Sequence, residues 1–252
     1  MEHYVKIRNL MLGRGIPKVC VPITSSRAEE IVAEIKMAKE QKADLIEWRA
    51  DCCECKDDPA GMTAVCQKVR NAAQDMPVLF TYRTEDKDDP VDLDAYIELN
   101  KEMIKSGLVD IIDVELLMGD EVCQELCRLA HKHQMKSIIS YHDFERTPAV
   151  EDIVARLDKM QQLGADIPKQ AVMPHTAKDV VTLLAATEEY ARTKAQGPFI
   201  TMSMKRMGNI SRISGEIFGS ALTFGSIRKA SAPGQLEVRM LQFILQALHD
   251  ES

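Results

Sequence analysis

Eight short apolar runs recur along the chain, and between them lie stretches whose apolar residues return at helical spacing. The runs fall at 18–23 (KVCVPI), 44–48 (DLIEW), 77–82 (PVLFTY), 109–114 (VDIIDV), 136–141 (KSIISY), 168–173 (PKQAVM), 198–202 (PFITM) and 221–225 (ALTFG). Between them, Ile31, Ile35 and Ala38, then Leu93, Ile97, Met103 and Ile104, then Ile153, Leu157 and Met160, and later Val180, Leu183 and Leu184 mark amphipathic helices. Helix signals agree: Ser25 or Ser26 before the first helix, Asp92 or Asp94 before 93–106, Asp120 before 121–133, Thr176 before 177–194, and Gly107 and Gly164 past helix ends.

Strands that alternate with helices pair in parallel, because each crossover needs a connection long enough to hold a helix. The 252 residues spread over eight such units at about 31 residues each, the length and count that close a (β/α)8 barrel. The expectation is one such barrel over 1–252, with the alternating segment 3–15 as a β-hairpin capping its bottom. An open doubly wound sheet would carry a glycine-rich phosphate turn after an early strand, and VPITSSRAEE has none.

Composition narrows the partners. With 32 basic and 39 acidic residues the formal charge is −7, the wrong sign for a chain that lives on nucleic acid or anionic lipid. No run approaches the length of a membrane span and the N-terminus lacks a signal-peptide pattern, so the expected address is the cytoplasm. Seven cysteines, odd in number and unevenly spread, fit a reducing compartment. Cys52 and Cys55 form a Cys-x-x-Cys spacing without the further ligands zinc wants, Cys123 and Cys127 read as small helix residues, and no metal site is expected.

Charge interrupts strands that ought to be apolar on both faces. Glu47 and Arg49 share a face of the second run, Arg83 ends the third, Asp113 and Glu115 the fourth, His142 and Asp143 the fifth, and Lys169 lies within the sixth. Singly, each reads as an ion pair or a hydrogen-bonded spacer. Together they place a polar group on five successive strands near the C-terminal ends, where barrel enzymes keep their active sites, and unpaired buried charge costs several kcal/mol. A lysine in an apolar strand either pairs with an acid or loses its proton to become a nucleophile for carbonyls.

The chain resembles the type I 3-dehydroquinate dehydratases, a Schiff-base family of the shikimate pathway. The matching segments are EWRAD at 47–51, FTYRT at 80–84, SGLVDIIDVEL at 106–116, SYHDF at 140–144, GADIPKQAVMP at 164–174, ITMSM at 200–204, GNISRISGEIFGSALTFGS at 208–226 and SAPGQ at 231–235. The resemblance implies conversion of 3-dehydroquinate to 3-dehydroshikimate by syn elimination, with Lys169 forming the imine and His142 as general acid/base. It implies a homodimer with no cofactor. Arg212, Ser231 and Gln235 would hold the substrate carboxylate, Glu47, Arg49 and Arg83 the ring hydroxyls, and Met202 and Met204 an apolar wall.

Two places depart from the pattern. The first strand reads VPI where some members have serine. After Arg83 the family continues R-S/T-x-x-E-G-G, whose glutamate pairs with the histidine; here RTEDKDDPVDLD lacks both glycines and is about two residues short. An ungapped match puts Lys87 at the glutamate position, and a gapped one puts Glu85 or Asp86 there, of which Glu85 is preferred. The rival readings are a class I aldolase or transaldolase, which shares the barrel and the lysine imine, and a weakened family member that binds shikimate-type acids.

Overall fold

The computed structural model describes residues 4–84, 92–227 and 235–250. β1 (Val5–Ile7) and β2 (Leu10–Leu12) form an antiparallel hairpin. Strand and helix then alternate through β3 (Lys18–Ile23), α1 (Ala28–Glu40), β4 (Leu45–Arg49), α2 (Pro59–Ala73), β5 (Val78–Thr81), α3 (Leu93–Ser106), β6 (Ile111–Glu115), α4 (Asp120–Lys132), β7 (Lys136–Asp143), α5 (Val150–Gln162), β8 (Ile167–Val172), α6 (Ala177–Thr193) and β9 (Ile200–Ser203). Two short helices follow, α7 (Asn209–Ile213) and α8 (Gly215–Phe218), then β10 (Leu222–Ser226), β11 (Leu236–Glu237) and α9 (Val238–Asp250). Strands β3 to β10 pair in parallel, with β10 beside β3 and β11 outside β10. A bridge between Phe199 and Ser220, with the Ala221 N–H donating to the Phe199 carbonyl at 2.9 Å, brings β9 to β10 and closes the ring. The eight-stranded barrel expected from the repeat is the fold observed.

Alternation along each strand makes two cores. Outward residues such as Ile46, Trp48, Phe80, Val114 and Ile139 pack under the helices with Ile31, Ile35, Leu126 and Leu157. Inward residues Cys20, Leu45, Leu79, Ile111, Ile138, Ile167, Ile200 and Leu222 fill the barrel floor, where the hairpin's Ile7 and Leu12 join them. The hairpin thus plugs the bottom. Two residues further along the same face the inward positions turn polar: Glu47, Thr81, Asp113, Ser140 and Lys169.

A recurring aspartate sets the register beneath this polar layer. Asp44, Asp110 and Asp166 each stand just before an even-numbered strand and accept a backbone N–H from the strand before it: Val19 at 2.7 Å, Val78 at 2.8 Å and Ser137 at 2.9 Å. Three residues after each aspartate comes an inward ionic side chain, namely Glu47, Asp113 and Lys169. The latches therefore hold β4, β6 and β8 at the stagger that levels the three ions.

Helix ends follow local chemistry. Thr176 caps α6 in a reciprocal box with Asp179, Asp92 caps α3, and Gly107 ends it at φ 64°, a conformation glycine adopts without strain. Two caps expected from sequence are not used. Neither Ser25 nor Ser26 caps α1: Arg27 occupies that position without a side-chain bond, because Glu34 accepts the Thr24 and Ser25 N–H groups. Asp120 is already helical, preceded by Gly119 at φ 98°. Replacing Asp110, which also pairs with Arg8 and Arg70, by Asn is expected to cost about 2 kcal/mol, since it weakens charge-assisted bonds to partly buried groups. Urea unfolding of D110N should show a lower midpoint at an unchanged slope; an unchanged midpoint contradicts the latch.

Candidate active site

The groups around the Lys169 amine come from alternate strands: Glu47 from β4, Asp113 from β6 and the Phe224 ring from β10, with Lys169 itself on β8. The Lys169 ammonium lies 3.1 Å from Asp113 Oδ2 and 3.4 Å from Glu47 Oε1, and its Nζ sits 4.8 Å from the centre of the Phe224 ring. Of the two fates open to a buried lysine, pairing with an acid is the one observed. Arg83 completes the network from just beyond β5. Its Nη1 donates to Glu115 Oε1 at 2.8 Å, to Ser140 Oγ at 2.9 Å and to Asp113 Oδ1 at 3.2 Å, and its Nη2 donates to Asp113 Oδ2 at 3.1 Å. The Ser140 hydroxyl donates to Asp113, and Thr81 Oγ1 donates to Glu47 at 3.0 Å. Thr84 binds Glu115 through both its N–H and its hydroxyl.

Burial alone would raise the Asp113 carboxyl, but Arg83, Lys169 and Ser140 hold it well below the usual carboxylate range. Burial opposes the charge on Arg83 too, and Asp113 and Glu115 keep it firmly protonated. Each ion is thus affordable only in the presence of the others.

His142 stands two residues beyond Ser140 on β7, its ring stacked on Phe144 with centroids 5.8 Å apart and planes 14° from parallel. Burial, then the positive charge of Arg83 and Lys169, pushes its basicity well below the ordinary histidine range, with Asp113 opposing. The imidazole is neutral at physiological pH, the form that accepts a proton.

Of the other residues expected at the site, Arg49 turns its fork onto Asp51, with bonds of 2.9 and 2.7 Å, and Asp51 also accepts the Arg83 N–H at 3.1 Å. Arg212, on α7, is 3% exposed; it points Nη1 at Met202 Sδ, 3.8 Å away, and has no acidic partner among the described residues. Burial draws its basicity down to about 10. Its Nε lacks a hydrogen-bond partner, so the site holds a buried cation suited to an incoming anion. Met202 and Met204 line the barrel interior, and Gln235 lies half-buried just before β11. Glu85, Asp86 and Ser231 lie outside the described residues. Asp113 and Glu115 were visible as strand-end acids, but their grip on Lys169 and Arg83 was not assigned, and Asp51, Thr81, Thr84 and Ser140 were missed. The same two-residue alternation that exposed Lys169 points to Thr81 and Ser140. Among the described residues no group of three or more His, Cys, Asp or Glu side chains is arranged to hold a metal ion.

Fold and mouth together define a closed β/α barrel enzyme with an ion-paired lysine and a neutral histidine at the C-terminal ends of its strands. A family model described as type I 3-dehydroquinase matches residues 19–252. A 3-dehydroquinate dehydratase of Clostridioides difficile strain 630 is 48% identical over 251 residues, 99% of this chain and 98% of that one. Among solved structures, the Clostridium difficile type I 3-dehydroquinate dehydratase with covalently modified comenic acid superposes at TM-score 0.96 with 48% identity, covering all of both chains. The Geobacillus kaustophilus 3-dehydroquinate dehydratase superposes at 0.94 with 34% identity, covering 99% and 97%. The chain belongs to the type I 3-dehydroquinase family, and the full-length match does not favour the aldolase reading.

Because the folded protein resists protonating His142, the unfolded chain takes up that proton first as pH falls below about 6.5. The stability this residue contributes is therefore present above that pH and lost below it. Urea midpoints measured between pH 7.5 and 5.5 should fall more steeply for the parent than for H142Q; parallel profiles contradict a neutral imidazole.

Proposed function

We propose that this chain dehydrates 3-dehydroquinate to 3-dehydroshikimate through an imine on Lys169, with His142 carrying the protons. The observation that carries the reading is Lys169, the one buried lysine among the described residues, on the strand beside a neutral histidine in a barrel that also buries Arg212, which has no acidic partner among the described residues. Neutral His142 takes a proton from the Lys169 ammonium, the freed amine adds to the ring ketone, and His142 returns that proton to the former ketone oxygen, which leaves as water to give an iminium. The iminium acidifies the α-carbon; neutral His142 takes that proton, and the electrons expel the β-hydroxyl, which leaves with the same proton as water. One base serving both steps makes the elimination syn. Water then hydrolyses the imine and frees product and lysine.

Arg212 suits the substrate carboxylate, because binding an anion restores the partner this buried cation lacks. Glu47 has an oxygen within reach of Lys169 and Thr81, and displacing either contact lets it accept a ring hydroxyl. In the resting protein Arg83 and Arg49 are committed to Asp113, Glu115 and Asp51, so their contact with ring hydroxyls requires rearrangement. Ser231 and Gln235 as further carboxylate donors, and Glu85 as partner of His142, belong to the same proposal by sequence position. Support for covalent chemistry comes from the Clostridium difficile relative, described with covalently modified comenic acid.

Assembly as a homodimer is supported by α7, α8 and α9, which expose Ile210, Ile217, Met240 and the 74% exposed Phe243. Apolar side chains gathered on neighbouring helices suit a self-complementary interface. A cytoplasmic location is supported by seven cysteines that are all free.

Borohydride added with 3-dehydroquinate should fix a reduced adduct on Lys169, and K169A should lose turnover while keeping the circular dichroism of the parent; an adduct elsewhere or none overturns the imine. Arg212→Leu should raise KM at least 30-fold, in line with the roughly 2–5 kcal/mol lost when one member of a buried charge pair is truncated. An unchanged KM removes Arg212 from substrate binding.

A further inference from the structure

The turn that follows β4 carries three cysteines, at 52, 53 and 55. The spacing singled out by sequence pairs Cys52 with Cys55, but the structure pairs differently. Cys53 Sγ lies 2.7 Å from Cys55 Sγ, while Cys52 points away, its Sγ 3.7 Å from Asp51 Oδ2. Ordinary nonbonded contact is about 3.5–4 Å, so these two sulfurs are held closer than packing requires. A sulfur-bridging metal would have to spread them apart. A disulfide, at about 2.05 Å, needs them to close by only about 0.7 Å.

The backbone holds the pair in place. The Cys53 N–H donates to Ala50, the Glu54 N–H to Ser26, the Lys56 N–H back to Cys53 and the Asp58 N–H to Cys55, all at 2.9–3.1 Å. Cys53 is 2% exposed, whereas Cys55 is half-buried and so is the sulfur an oxidant reaches first. Met62 Sδ, 3.6 Å from Cys55 Sγ, makes the wall of the niche. The other cysteines lack this arrangement: Cys66 is buried, with its thiol pushed up to about 12 by burial, and no sulfur contact is seen between Cys123 and Cys127 among the described residues.

We infer that Cys53 and Cys55 form a dithiol modification site that a peroxide closes reversibly to a disulfide. The Cys55 sulfur attacks one peroxide oxygen, the O–O bond breaks, and the departing hydroxide takes the Cys55 proton to leave as water. The resulting sulfenic acid has Cys53 against it. Attack by Cys53 forms the S–S bond and expels hydroxide, which takes the Cys53 proton as the second water. Both sulfurs are oxidised by one electron each and the peroxide is reduced to two waters. Burial, then the neighbouring Cys53, pushes the Cys55 thiol up to about 12, so closure is slow at neutral pH and speeds up in alkali. The bridge lies two residues past Asp51, the carboxylate that holds Arg49 and the Arg83 backbone, and so forms beside the mouth.

The test uses the full native chain and a mass readout that does not depend on the proposed activity. Treat the protein with excess hydrogen peroxide, block remaining thiols with iodoacetamide under denaturing conditions, and sequence the tryptic peptide 50–56 by mass spectrometry. The expected peptide has lost two hydrogens and carries one alkyl group, on Cys52; reduction with dithiothreitol followed by a second round of iodoacetamide adds two more alkyl groups, on Cys53 and Cys55. In C53S the bridge cannot form, and dimedone should capture a sulfenic acid on Cys55 that the parent shows only weakly. Three alkylated cysteines after peroxide, a bridge from Cys52, or irreversible oxygenation of Cys55 in the parent each overturn the proposal.

Discussion

The Asp113 carboxylate is the point on which the barrel mouth depends. It takes hydrogen bonds from both terminal nitrogens of Arg83, from Ser140 and from Lys169 while fully buried. A carboxylate in that position is tolerable only because two cations and a hydroxyl compensate its lost hydration, and the cations are tolerable only because it is there. Glu47 and Glu115 extend the balance, one towards Lys169 and one towards Arg83. The network holds the Lys169 amine in one place in the barrel interior, as the proposed imine chemistry requires.

The scaffold beneath delivers these groups to one level. Apolar inward residues fill the floor, the hairpin plugs it, and the aspartate latches on alternate strands set the stagger at which Glu47, Asp113 and Lys169 meet. The spacing Asp-x-x-ionic occurs at 44–47, 110–113 and 166–169. It ties a structural bond at the bottom of the barrel to a functional group near its top. Stability and site geometry thus share the same short segments, consistent with barrel architecture, in which the lower face serves stability and the upper face chemistry.

Much of this was legible in the residues. The strand count and the closed barrel followed from period alone, and Lys169 and His142 stood out because they break an apolar face at an inward position. What stayed hidden was pairing. Nothing in the sequence says that Arg49 folds back onto Asp51 two residues away rather than onto Glu47, or that Arg83 spends its donors on Asp113 and Glu115. Those choices depend on side-chain reach between strands. Local turn geometry likewise decided that Cys53, not Cys52, faces Cys55, and that Glu34 rather than a serine cap satisfies the N–H groups before α1. The latches escaped notice because each looks like an ordinary aspartate at a strand start until the N–H of the preceding strand is seen upon it.

The central claim is that Asp113 and Lys169 stabilise each other rather than merely sit close. A double-mutant cycle of D113N, K169M and the pair, read by urea unfolding at pH 7.5, measures that coupling directly. The account predicts that each single substitution is costly, and that the double variant recovers about 2 kcal/mol or more relative to the sum, because it no longer strands one buried charge. Additive costs within about 0.5 kcal/mol would mean that the two ions do not depend on each other, and the charge balance described for the mouth would be wrong.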